Sequence, residues 1–106
     1  MPDPERGSPH ALLAALTHPL RRRILRAMPE EEDAAISPRQ IAAELDESLT
    51  HVSYHVRVLA RTRAAKLVRT TRVRGSTQHF YRRTLTATWA MEVLTEPDTE
   101  APGDKS

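Results

Sequence analysis

The chain contains no cysteine, and that single absence removes disulfides, thiolate metal sites and a cysteine nucleophile. Aromatic residues are scarce as well, with one Trp, one Phe and two Tyr among 106 residues. A core must therefore be built mostly from Leu, Ile, Val and Ala. With 39 % hydrophobic residues there is material for one modest core, hence one domain. A small aliphatic core of this kind gains from burying a shared face against a second copy. No apolar run approaches the roughly 18 residues of a membrane span. The start, MPDPERGSPH, lacks the apolar stretch of a signal peptide. The expectation is a soluble, cytoplasmic chain with no membrane partner. A Gly-rich phosphate loop is missing too, and the acidic residues gather in EEED and the two ends, where water keeps carboxylates ordinary. Neither an enzyme nor a bound cofactor is expected.

What is present is positive charge in one place. The net charge is only +2, but residues 36–83 carry ten Arg or Lys against three Asp or Glu. A basic middle between acidic flanks points to a polyanion as partner, with a merely solvated surface as the plainer alternative.

The pattern along the chain is helical, then briefly β. Residues 1–8 and 96–106 are Pro- and acid-rich, the composition of disordered tails, and leave 9–95 as the folded domain. There is no internal repeat. Ser8 and Pro9 read as an N-cap and first helical residue, opening a helix through ALLAAL. Thr17-His18-Pro19 repeats that signal, and Leu20, Ile24, Leu25 and Met28 then share one face. Arg21, Arg22, Arg23 and Arg26 surround this stripe and read first as a solvated face. Pro29 ends the helix, and EEED reads as a solvated loop. Ser37, Pro38 and Gln40 form a capping-box signature for a third helix, with Ile41 and Leu45 inward. Asp46-Glu47 is a tight turn. Ser48 caps a fourth helix running from Leu49 to about Ala60, whose expected buried stripe is Leu49, Val52, Val56 and Leu59. At 100° per residue, Thr50, His51, Tyr54, Arg57 and Arg61 project to the opposite side. LVRTTRV and TQHFYRR are β-prone, and the Gly-Ser of Arg74-Gly75-Ser76 signals a two-residue hairpin turn between them. A last helix, from about Thr84 to Thr95, would present Leu85, Trp89 and Val93 on one stripe.

Two helices, a helix–tight turn–helix pair and a basic hairpin make a mainly α fold with a small β-hairpin, in the order of a winged helix-turn-helix. A short turn between two helices lets one lie across a DNA backbone and lift the other into the major groove. Thr50, His51 and Tyr54 offer hydrogen-bonding groups or a flat apolar surface to base edges, and Arg57 offers a bidentate donor. Arg69, Arg72 and Arg74 on the hairpin can neutralise phosphates or enter the minor groove. Arg39, Gln40, Ser48, Ser53 and Arg61 complete the candidate DNA-binding set. The partner expected from these residues is double-stranded DNA.

From Ala15 to Arg83 the sequence resembles the ArsR-type winged-helix repressors of bacteria, through ALTHPLRRRILRAM, SPRQIAAELDES, HVSYHVRVL and LVRTT…RGSTQHFYR. The resemblance implies a recognition helix from Ser48 to Leu59, a wing around Gly75, and a homodimer built from the first and last helices. Leu12, Leu13, Leu16, Trp89 and Val93 are the implied interface residues. Together these imply a transcriptional regulator that represses from a pseudo-palindromic operator. The chain departs from the family at Thr62-Arg63-Ala64-Ala65, where many relatives carry a Leu-Gly-Leu-Ile-like stretch. The glycine that would end the recognition helix is missing. The cysteines used by the family's metal sensors are missing too, and the last helix offers only Glu92, so metal sensing is not carried over.

Other readings stand beside this one. His51 and His55 have the i, i+4 spacing that can hold zinc on a helix, but no third ligand is evident and a metal there would block the reading face. His55, nearer the core stripe, is expected to pack or bond locally. Trp89 could line the pocket of an unidentified small-molecule effector, or serve as a plain interface aromatic. The functional rival is a winged-helix module for protein–protein contact, which would have no need of an arginine-rich reading face.

Overall fold

The computed structural model describes residues 9–85 and 88–95, with the backbone alone at Pro9, Thr88, Trp89 and Thr95. The tails and the Ser8 cap lie outside these residues. The elements are α1 (Pro9–Leu16), α2 (Pro19–Ala27), α3 (Pro38–Leu45), α4 (Leu49–Arg61), β1 (Ala65–Val73), β2 (Ser76–Arg83) and α5 (Thr88–Thr95). None of the described helices is long and apolar enough to cross a membrane.

Local chemistry explains where the helices begin. At α3 the capping box forms in full: Gln40 N–H donates to Ser37 Oγ at 3.2 Å, and Ser37 N–H donates to Gln40 Oε1 at 2.9 Å. Ser48 Oγ accepts His51 N–H at 3.3 Å at the start of α4. Within Thr17-His18-Pro19 the cap of α2 is His18, whose Nδ1 accepts Leu20 N–H at 3.2 Å. Thr17 instead donates its hydroxyl back to the Ala14 carbonyl at 2.7 Å, closing α1.

Left-handed backbone ends two helices without glycine. Asp46 (φ 56°) closes α3, and Glu47 N–H reaches back to the Ala42 carbonyl at 2.9 Å. At the end of α4, Arg63 (φ 68°) occupies the position a glycine would fill. Arg63 N–H donates to Ala60 O and Ala64 N–H to Leu59 O, at 3.1 and 2.9 Å, the bond pair of a Schellman motif. The helix end is therefore defined despite the missing glycine, and Ala64 and Ala65 are both buried beneath it.

The core joins Leu16, Ile24, Leu25, Met28, Ile41, Val52, Val56 and Leu59 to Tyr81, Leu85, Ala90 and Leu94. Three expectations change here. Leu49 sits in the first turn of α4 and is 37 % exposed, so it does not belong to the buried stripe, whereas Val58 does. Leu16, expected at a subunit interface, is 2 % exposed and is a core residue of the single chain. The last helix is described from Thr88, and among its described side chains Ala90 and Leu94 are buried while Met91 and Val93 are half-buried.

Arg21, Arg22 and Arg23 of α2 are half-buried and do not form a solvated face, while Arg26 is exposed. Arg21 Nε donates to His55 Nδ1 at 3.0 Å, an Arg22 guanidinium nitrogen to Leu16 O at 2.7 Å, and Arg23 to Leu45 O at 3.0 Å and Glu47 Oε2 at 3.1 Å. Each reaches a different element, so α2 ties α1, the helix-turn-helix turn and α4 together. The EEED loop is engaged as well. Arg83 pairs with Glu30 and also donates to the Leu25 carbonyl at 3.1 Å near the end of α2, which anchors the base of β2.

The strands β1 and β2 pair antiparallel, with a bulge between Leu67 and Arg69. Val73 pairs with Ser76, so the two turn residues are Arg74 and Gly75, not Gly75 and Ser76. Both have positive φ, 53° and 82°, the requirement of a type I′ turn. Ile36 adds a single bridge to Tyr81 through paired bonds of 2.9 and 2.8 Å, placing the entry to α3 against the hairpin.

Candidate nucleic-acid interface

Helix α4 separates its side chains by face, as the 3.6-residue period dictates. Val52, His55, Val56, Val58 and Leu59 are buried, while Thr50, His51, Tyr54, Arg57 and Arg61 are exposed. Tyr54 is 52 % exposed, a large aromatic surface left to solvent in a chain with four aromatic residues besides its histidines. Ser53 is half-buried on the flank, and Ser48 is exposed at the cap. Arg57 lies close enough to Tyr81 for its charge to counter part of what burial does, which is to push the Tyr81 phenol above its usual 10.0.

Arg39 and Gln40 are exposed in the first turn of α3, with Gln40 Oε1 already engaged in the capping box. A cleft of about 150 Å³ opens between the first turns of α3 and α4 and strand β2. Arg39, Leu49, Ser53, Thr77 and His79 line it. Thr77 and His79 were not singled out by the sequence. They lie beside the helix-turn-helix only because β2 folds back, and nothing in the local pattern signals that.

The hairpin divides its arginines. Arg69 pairs with Phe80 and Arg72 with Thr77, and strand alternation sends these positions to opposite faces of the ribbon. Arg69 stacks its guanidinium 4.5 Å from the Phe80 ring centre. Arg72 shares its face with Thr70, His79 and Thr77; Thr77 and His79 line the cleft, as does Gln78 from the other face. Arg74 is at the exposed tip. The three hairpin arginines therefore do not form one patch.

Behind the exposed face, His55 is enclosed. Its ring lies 4.5 Å from that of His18 and 5.2 Å, edge-on, from that of Tyr54, and its Nδ1 accepts from Arg21. Burial chiefly, then the charges of His18, Arg21 and His51, hold its pKa below the usual 6.5, so the ring is neutral with its proton on Nε2. His51 is exposed and His55 buried. Among the described residues no three His, Asp or Glu side chains are grouped so as to hold a metal ion.

Of the expected interface residues, Leu13 is 51 % exposed, while Leu12 and Val93 are half-buried on the adjoining helices α1 and α5. The Trp89 side chain lies outside the described residues.

Curated proteins gave no match to the chain. Among solved structures, NolR from Sinorhizobium fredii aligns with a TM-score of 0.56 at 19 % sequence identity, covering 80 % of this chain and 75 % of that one. At that identity the likeness shows a shared fold, and the hairpin after the paired helices makes it a winged helix-turn-helix. A family model described as a helix-turn-helix domain matches residues 16–70, which run from the last residue of α1 into β1 and make up just over half of the chain. The chain belongs to the helix-turn-helix domain family.

Proposed function

We propose that this protein is a sequence-specific DNA-binding transcriptional regulator of the ArsR type, a homodimer that represses from a pseudo-palindromic operator. The observation that carries the reading is the outward face of α4. Thr50, His51, Tyr54, Arg57 and Arg61 are all exposed on a helix that α2 and α3 hold from behind. Thr50, His51, Tyr54 and Arg57 read base edges in the major groove. Arg39, Gln40, Ser48 and Ser53 hold the phosphate backbone near the cleft, where the starts of α3 and α4 both favour an anion. Arg61, Arg72 and Arg74 add phosphate contacts on either side, and Arg69, turned to the far face of the wing, adds the least. Dimerisation through α1 and α5 is supported by the exposed Leu13, with Leu12, Val93 and Trp89 on the same two helices.

The test selects binding sites from random duplexes, then titrates salt against the selected site and a scrambled duplex. The proposal expects tight, salt-dependent binding and a preference for the selected site. Two half-sites should appear, separated by roughly 10–11 base pairs centre to centre. Failure to bind either duplex at low salt would return the protein–protein reading.

A further inference from the structure

Arg21 and His55 are not among the residues assigned to DNA, yet Arg21 bonds to His55, and His55 packs edge-on against Tyr54, the exposed phenol ring of the reading face. His55 is 8 % exposed and sits between two rings: His18 at 4.5 Å on one side and Tyr54 at 5.2 Å on the other. His18 is itself fixed, because its Nδ1 caps α2 by accepting Leu20 N–H. Arg21 Nε then donates to His55 Nδ1 at 3.0 Å. An arginine donates and never accepts, so this bond exists only while His55 Nδ1 carries no proton.

We infer that Arg21 is a positioning residue for base readout: through His55 it fixes the ring against which Tyr54 packs, and protonation of His55 releases Tyr54. The inference rests on the DNA-binding reading and adds to it a residue on a different helix. Protonation at Nδ1 replaces an acceptor with a donor facing the Arg21 guanidinium. The described groups that act on His55 are His18 ahead of α2, Arg21 on α2 and His51 on its own helix. A protonated His55 therefore faces the Arg21 guanidinium as a like charge, and the imidazole edge that holds the Tyr54 ring moves away. The phosphate contacts assigned to Arg61, Arg72 and Arg74 do not depend on His55, so they persist while discrimination at the Tyr54 position is lost.

The test compares the wild type, Arg21→Met and His55→Asn at pH 7.5 and at a lower pH at which NMR shows the His55 ring protonated in the folded wild type. Each is titrated against a selected duplex, its single-base variants and a scrambled duplex. Asn keeps an acceptor near the Nδ1 position and does not titrate. The wild type should lose preference at one base position of each half-site on acidification, by on the order of tenfold, with scrambled-duplex binding little changed. Arg21→Met should show that loss already at pH 7.5. His55→Asn should keep the preference and lose its pH dependence. Should Arg21→Met fail to fold, NMR on the wild type decides: the Tyr54 ring resonances should move with the His55 titration. Wild-type preference in Arg21→Met, an unchanged pH profile in His55→Asn, or Tyr54 resonances indifferent to His55 would each overturn the inference while leaving DNA binding intact. A wild type that binds no duplex would instead remove the reading on which it rests.

Discussion

Arg23 on α2 grips the helix-turn-helix turn at two points, donating to the Leu45 carbonyl at 3.0 Å and to Glu47 Oε2 at 3.1 Å. The two bonds are unequal in worth. The ion pair is solvent-screened, with side chains 40 % and 32 % exposed, whereas the carbonyl is one of the unsatisfied groups at the end of α3. Glu47→Gln should therefore cost ~0–1 kcal/mol. Arg23→Met should cost more, roughly 1.5–3 kcal/mol, because it abandons the carbonyl as well. Urea unfolding of both variants checks the order, and equal losses would show the ion pair to be the dominant bond.

The left-handed residue that ends α4 is an arginine, a conformation that costs a residue bearing Cβ roughly 1–2 kcal/mol. Glycine at position 63 removes that strain but adds about 0.4–1 kcal/mol of unfolded-state entropy. Arg63→Gly should thus raise the melting temperature, for a net gain of up to about 1.5 kcal/mol. Arg63→Val should lower it. Thermal unfolding of the two variants measures both signs, and a Gly variant less stable than the wild type would show that the Arg63 side chain contributes more than its backbone costs.

Stability should fall on mild acidification through His55. Its folded pKa lies below 6.5, so above that pH both folded and unfolded forms are neutral and no penalty exists. Below it the unfolded chain takes up the proton first, and stability declines until the pH passes the folded value. His55→Asn should flatten this part of the profile. Denaturant midpoints between pH 7.5 and 5 provide the comparison.

The wing should divide by face. Arg72→Ala should weaken selected and scrambled duplexes about equally and reduce the salt slope by about one unit per contact, doubled in a symmetric dimer. Arg69→Ala should change the slope less and destabilise the hairpin instead, by roughly 0.5–1 kcal/mol, through loss of the stack on Phe80. A salt slope that falls as far for Arg69→Ala as for Arg72→Ala would mean that both faces of the ribbon meet DNA.

The proposed dimer should have a mass of about 24 kDa, twice the 12.0 kDa chain. Leu13→Glu, which places a charge on the most exposed apolar side chain of α1, should shift light scattering toward the monomer. DNA binding should weaken with it, since one half-site alone provides little affinity. A wild type that is monomeric at tens of micromolar would remove the interface.

Much of this was legible in short stretches of sequence. The Ser37–Gln40 capping box, the Ser48 cap, the outward set on α4 and the hairpin each depend on residues a few positions apart, so periodicity and turn chemistry reach them. The end of α4 was less legible, because Arg63 is a poor left-handed residue and only the closed bonds to Leu59 and Ala60 compensate it. The hairpin turn slipped by one residue for a related reason: the type I′ geometry recruits Arg74 into positive φ beside Gly75.

Where α3 and α4 begin and which face of α4 turns outward rest on bonds and spacings within one element, so neighbouring residues are enough to set them. Packing between elements sets what the α2 arginines do, why Leu16 is core and Leu49 is not, which face of the wing each arginine takes, and that His55 is pinned. A guanidinium finds a buried carbonyl or imidazole only when another element delivers it. Arg21 and His55 are 34 positions apart, a separation that no local pattern encodes and that packing alone closes to 3.0 Å.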